Sequence, residues 1–194
     1  MFNELSEDIF QAVSALNRGG VIAFPTETTY GLGCDPRNTQ AVERIFAMKG
    51  RDAHKPLLLV AGSWEQVEQV AHLSGAIKRL AEKYWPGPLT LVLPVRAEAG
   101  LVNGVAPQGE VAVRYSSSLI VQKLVWAFGS AIVATSANTS GQPDSRSAED
   151  VRAYNLDIDY IIDGGRLDES LPSTVARVKE DGTIEIIRQG VVKL

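Results

Sequence analysis

The chain has 194 residues, 45% of them hydrophobic, and 19 basic against 23 acidic residues leave a net charge of −4. That is apolar material for one full core, so a single domain over 1–194 is expected, and the acidic balance argues against a broad nucleic-acid-coating face and leaves only local tRNA or RNA contact. One cysteine excludes an internal disulfide, no apolar run nears the ~20 residues that span a bilayer, and the acidic start (Glu4, Glu7, Asp8) is unlike a signal peptide; no membrane partner and a cytoplasmic location are expected.

Ser6, followed by Glu7 and Asp8, reads as a helix start, with Ile9, Val13 and Leu16 at helical spacing and Gly19-Gly20 as the stop. Val21 to Phe24 reads as a short buried strand that ends at Pro25. The stretch Thr26 to Gly33 is hydroxyl-rich and then glycine-punctuated, and is expected to be a loop held by that strand. Asn38 or Thr39 opens a second helix with Ala41, Val42, Ile45 and Met48 inward; Lys49 and Arg51 fall at its end. Leu57 to Val60 is a strand, Ser63 with Gln66 suggests a capping box, and Ser74 starts a helix carrying Ile77, Leu80, Ala81 and Tyr84.

Trp85-Pro86-Gly87-Pro88 is expected to be a rigid turn into a strand from Thr90 to Pro94, and Val95 to Gln108 a loop. Val111 to Arg114 is a strand that delivers a cation at its end. Leu119 to Phe128 is a helix closed by Gly129, and Ile132 to Ala134 feeds a second hydroxyl-rich loop, Thr135 to Gly141. A short helix follows Ser147, then a strand at Tyr160 to Ile162, and Ser173 to Val178 with Thr183 to Arg188 flank a hairpin signal at Glu180-Asp181-Gly182. Helices interleaved with strands, closed by a hairpin, predict an α/β fold with a mixed sheet and flanking helices.

Familiar catalytic signatures are missing. There is no P-loop, Gly31-Leu32-Gly33 lacks the third glycine of a dinucleotide fingerprint, and His54 and His72 without a cysteine pair argue against a metal site or a triad. Cys34 reads as small apolar filler rather than a nucleophile. Cations and hydroxyls at element ends remain: Lys49, Arg51, Lys55, Arg114 and Arg188 with Thr26, Thr28, Ser136, Asn138, Ser140 and Ser173. Each cation alone reads first as a surface or paired residue, with Glu110 and Asp163 as available acids. Lys49 and Arg51 could also satisfy helix-end carbonyls. Together they suggest a polyphosphate cleft.

The run Gly20 to Gly33, Lys49-x-Arg51, Trp85-Pro86-Gly87-Pro88-Leu89-Thr90, Val111-Ala112-Val113-Arg114, Ser136-Ala137-Asn138, Asp163-Gly164-Gly165, Ser173-Thr174-Val175 and Arg188-Gln189-Gly190 resemble, in order, the blocks of the YrdC family. Two positions depart from the family pattern: Asp52 stands where relatives have proline, and Lys55 where many have asparagine. The resemblance implies a twisted sheet with a large concave cationic cavity. It implies a nucleotidyltransferase that makes threonylcarbamoyl-AMP and pyrophosphate from L-threonine, bicarbonate and ATP. A partner threonylcarbamoyl-transferase complex would pass the group to ANN-decoding tRNAs. The alternative is a non-catalytic paralogue that binds nucleotide or RNA. Longer relatives carry an extra C-terminal domain, for which a chain ending at Leu194 is expected to have no room.

By the same resemblance, Lys49, Arg51, Ser136 and Asn138 form the catalytic tetrad. Thr26, Tyr30, Arg114 and Ser173 bind threonine. ATP is held by Lys49, Arg51, Lys55, Ser136, Asn138, Ser140 and Arg188. Mg²⁺ is expected to arrive with ATP, without a protein metal site. A reaction through a carbamate needs no covalent enzyme intermediate, which suits a chain without an activated nucleophile.

Overall fold

A computed structural model describes residues 2–52, 55–179 and 181–194. His54 and Glu180, named above, lie outside the described residues, as does the side chain of Ser6. The elements in order are α1 (Phe2–Asn17), β1 (Ile22–Pro25), β2 (Tyr30–Gly33), α2 (Thr39–Lys49), β3 (Leu58–Ala61), α3 (Trp64–Val70), α4 (Gly75–Tyr84), β4 (Leu89–Pro94), β5 (Glu110–Tyr115), α5 (Leu119–Phe128), β6 (Ile132–Ser136), α6 (Ala148–Ala153), β7 (Tyr160–Ile161), β8 (Thr174–Val178) and β9 (Ile184–Arg188). The mixed sheet runs β7-β1-β2-β6-β3-β5-β4-β8-β9, as the α/β reading expects.

Local chemistry sets most boundaries. Asn38 caps α2 by accepting from Ala41 N–H, and Ser63, Ser118 and Ser147 cap α3, α5 and α6 in the same way. Gln66 departs from a capping box: its Oε1 accepts from Gly62 N–H and its Nε2 donates to Val125 O, which ties α3 to α5. The first helix starts at Phe2, one turn before the expected cap at Ser6, and ends where Gly19 turns left-handed at φ 76°.

One strand is a correction. Residues Tyr30 to Gly33, expected to continue a loop, form β2 against β1, with Ile22 opposite Gly33 and Pro25 opposite Tyr30. The glycines belong there because neighbours come close. A Cβ on Gly33 would stand 2.5 Å from Val133 O and 2.6 Å from Phe24 Cε1. Only Thr26 to Thr29 turn. The segment after β4 is closer to its expectation: it has two short 3₁₀ turns, yet it buries Ala99 and Val105.

Strand alternation gives the sheet two unlike faces. Ala23, Leu32, Leu59, Val133, Leu91, Val113 and Ala176 face a core shared with α2, α3, α4 and α6. On the other face, Ile22, Phe24, Val60, Ile132 and Ala134 pack under α1 and α5. That apolar cover lies over β7, β1, β6 and β3. Farther along the same face, β5, β4 and β8 present Ala112, Arg114, Thr90, Val92, Val175 and Arg177, and these residues line an open hollow.

Candidate functional site

The hollow has two lobes. A small lobe of about 190 Å³ is lined by Thr26, Thr28, Thr29, Arg114, Ser136, Asp144 and Ser173, among others. A larger lobe of about 900 Å³ runs over Thr90, Val92, Ala112 and Val175, with Lys55, Glu110 and Arg177 on its walls. Arg51, Pro56, Leu58 and Arg188 belong to both lobes. Among the described residues, five cations thus face two acids, Asp144 and Glu110, and Glu110 is engaged by Arg177 at 2.6 Å. Neither acid named in advance as a counter-charge pairs with a candidate cation. Glu110 takes Arg177, and Asp163 accepts from Gly165 N–H.

Gly50 sends Lys49 and Arg51 apart. It is left-handed at φ 54°, with Arg51 N–H closing onto Phe46 O and Gly50 N–H onto Ala47 O. Lys49 therefore points inward and is 2% exposed. Its ammonium donates to Ser136 O at 2.6 Å, Asn138 O at 2.8 Å and Asn138 Oδ1 at 2.9 Å. Ser136 Oγ donates to the same Oδ1, and Asn138 Nδ2 donates to Gln142 O. All three ammonium protons are used, so Lys49 braces the 136–142 loop from beneath instead of satisfying its own helix end. Burial, and then Arg51, push its pKa down to about 8 against a raising effect of Asp144.

Arg51 turns toward the hollow. Its Nε donates to Lys55 O at 2.8 Å and its Nη2 to Pro56 O at 3.1 Å, which fixes the guanidinium at the junction of the lobes. Arg188 sits opposite on β9, donating to Ser173 O at 2.8 and 3.2 Å and to Ser173 Oγ at 3.1 Å. Thr90 Oγ1 lies 2.9 Å from that hydroxyl. Gly190 permits the arrangement, because a Cβ there would stand 2.1 Å from Pro172 O.

Arg114 forms part of the floor of the small lobe at 4% exposure. Its Nη1 is 3.4 Å from Thr28 Oγ1, and its Nε is 3.5 Å from Glu27 Oε1 without a hydrogen bond. Thr26 shapes the turn above it. Its Oγ1 donates to Thr29 O and accepts from the N–H groups of Thr28 and Thr29. The lobe offers a buried planar cation ringed by hydroxyls, the chemistry that recognises a small hydroxylated carboxylate.

Not every residue carried over from the resemblance reaches the hollow. Thr26, Arg51, Arg114, Ser136, Ser173, Arg188 and Lys55 line it. Lys49 and Asn138 lie just beneath. Tyr30 lines neither lobe: as part of β2 it faces the opposite core, and its hydroxyl donates to Gly165 O and accepts from Gly164 N–H. It supports the 163–165 loop. Ser140 is exposed, and its N–H donates to Lys49 O. Sequence reasoning missed Glu27 and Asp144. Glu27 stood between threonines, where an acid beside a distant arginine had no local signal, and Asp144 lay in a polar loop.

A family model named Sua5/YciO/YrdC and described as "Telomere recombination" matches residues 14–190. The chain is 39% identical over 184 residues to a threonylcarbamoyl-AMP synthase of Chromohalobacter salexigens, covering 93% of this chain and 98% of that protein. It resembles the structure of P. abyssi Sua5 complexed with L-threonine at TM-score 0.88 and 38% identity. That match covers 96% of this chain and 55% of the other, so this chain spans little more than half of that relative. E. coli YciO matches at TM-score 0.85 and 28% identity, covering 95% of this chain and 90% of the other.

Proposed function

The chain belongs to the Sua5/YciO/YrdC family, and on that footing we propose that it is an L-threonylcarbamoyladenylate synthase. The reading rests chiefly on one observation: Arg114 and its hydroxyl ring open into the lobe that Arg51 and Arg188 flank, so an amino acid and a nucleotide can meet. Threonine lies in the small lobe with its carboxylate on Arg114 and its hydroxyl among Thr28, Ser173 and their neighbours. A site built for a buried hydroxyl rejects analogues that lack it far better than an apolar pocket does. The nucleotide lies in the large lobe, its base over the apolar floor of Val92, Ala112 and Val175 and its phosphates between Arg51 and Arg188.

The reaction then needs positioning more than an activated side chain. Threonine's ammonium group gives up a proton, and its nitrogen then bonds to the bicarbonate-derived carbon as water leaves. The resulting carbamate oxygen bonds to the α-phosphorus of ATP, and the bond to pyrophosphate breaks. Arg51 and Arg188 stabilise the charge that shifts onto phosphate oxygens, while Lys49 holds Ser136 and Asn138 at the junction. Mg²⁺ would enter with ATP and neutralise phosphate charge; Asp144, on the wall of the small lobe with Oδ1 3.3 Å from Asn138 Nδ2, is the carboxylate that would stand near it. The class is nucleotidyltransferase. A transferase complex that modifies tRNA consumes the adenylate.

The test is incubation with ATP, bicarbonate and each amino acid in turn, with mass detection of an acyl-adenylate. Threonine-dependent product with pyrophosphate release is expected. ATP binding without turnover on any amino acid would leave the protein a nucleotide-binding paralogue.

A further inference from the structure

Glu27 is the one acid in the β1–β2 turn, and its carboxylate is split between two tasks. Ser116 Oγ donates to Oε2 at 2.5 Å. Ser116 is held in turn, since it accepts from Ser118 N–H on Oγ, donates its own N–H to Ala61 O and accepts from Gln122 Nε2 on its carbonyl. The turn is thereby tied to the start of α5. The other oxygen, Oε1, is buried with no hydrogen bond, and so is Arg114 Nε, 3.5 Å away. Buried polar atoms almost always find partners. Here two orphans of opposite charge face each other, and the guanidinium they belong to lines the small lobe.

We infer that Glu27 is a positioning residue for the amino-acid substrate: it orients Arg114 by charge from behind while touching no substrate itself. The inference rests on the proposed reading of the small lobe as the amino-acid site. A guanidinium with an anion fixed at Nε keeps its Nη atoms turned to the lobe, where a carboxylate can take both. Without that anion the one hydrogen bond left to the guanidinium among the described residues is Nη1 to Thr28 Oγ1 at 3.4 Å, a single contact that cannot fix the plane. Glu27 also keeps the cation neutralised before substrate arrives, which lowers the cost of burying it. Its influence is confined to one substrate. Arg51 and Arg188 are held by Lys55 O, Pro56 O and Ser173, none of which depends on Glu27.

Glu27→Gln separates charge from shape, because the amide oxygen can still accept from Ser116 while the anion is lost. L-Threonine is titrated calorimetrically into wild type and Glu27→Gln, and KM is measured for threonine and for ATP. The expected result is a ten- to hundredfold weaker threonine Kd and KM, the order seen for coupled neighbours, with the ATP KM moving less than threefold. Unchanged threonine affinity overturns the inference. So does an equal loss for both substrates accompanied by a lowered melting temperature, which would make Glu27 a structural acid of the turn. A wild type that neither binds threonine nor forms adenylate overturns the proposed function and the inference with it.

Discussion

Lys49 and Asn138 meet twice: the ammonium donates to the backbone oxygen of Asn138 at 2.8 Å and to its side-chain oxygen at 2.9 Å. The double contact settles the orientation of the amide, since a flipped Asn138 would turn its NH₂ against a cation and lose the proton from Ser136. It also separates the two cations of Lys49-x-Arg51, one buried in a network and one facing the hollow.

Their substitutions should therefore differ. Lys49→Ala strands the Asn138 carbonyl, takes one of two donors from Ser136 O and Asn138 Oδ1, and leaves a void, so it should lower stability by about 2–5 kcal/mol as well as activity. Arg51→Ala should leave the melting temperature within a few degrees and reduce pyrophosphate release a hundredfold or more, on the scale of a lost charge-stabilising donor. Thermal unfolding and a pyrophosphate assay on both variants decide it. Equal melting temperatures would mean that the Lys49 network carries no structural weight.

Lys49 also predicts a pH dependence. Its folded-state pKa of about 8 lies below the ordinary 10.5. The penalty of burying the charged form is fully present below pH 8. As pH rises from about 8 to 10.5 the folded protein sheds this proton before the unfolded chain does, so the contribution of Lys49 to stability rises. Lys49→Met lacks this linkage. The melting temperature of wild type relative to Lys49→Met should climb between pH 8 and 10, and a constant difference would exclude the shift.

Arg114→Ala isolates the carboxylate contact. Losing one partner of a buried charged pair costs roughly 2–5 kcal/mol, about thirtyfold to several thousandfold in affinity. The loss should fall on the threonine requirement and leave the ATP requirement nearly untouched. Comparable effects on both KM values would argue against a carboxylate clamp.

How far the sequence carries toward this structure depends on the range of the interaction. Caps at Asn38, Ser63 and Ser147, the left-handed glycine ends and the span of α5 are local, and residues within four positions reveal them. Strand β2 was hidden because Gly31 and Gly33 look like turn residues, whereas their absent side chains make room for Phe24 and the β6 backbone. The side on which Tyr30 lies was hidden for the same reason: without β2 there is no alternation to place it. Glu27 depends on Arg114 and Ser116, on the far side of three α-helices in sequence, and Arg177 was passed over although it lines the large lobe. Composition carries no trace of such pairings.

Gly190 offers a test of the wall from outside the hollow. It follows β9 and lies against the residues that hold Ser173. A methyl group there would stand 2.1 Å from Pro172 O and 2.6 Å from Ser173 C, both backbone atoms that have no rotamer to escape by. Gly190 N–H also donates to Thr174 Oγ1, and Val191 N–H to Pro172 O, so the segment cannot swing out without losing both bonds. Gly190→Ala must push the 172–173 backbone, at a cost of about 1–3 kcal/mol for overpacking. The shift moves Ser173 away from Arg188 and Thr90 together. Threonine binding should weaken and the melting temperature fall, because one wall serves the fold and the small lobe alike. Arg188→Ala, which frees Ser173 without the clash, should weaken ATP more than it lowers the melting temperature. Calorimetry with each substrate on the two variants reads the contrast, and identical profiles would show that Arg188 acts only as a strap for Ser173.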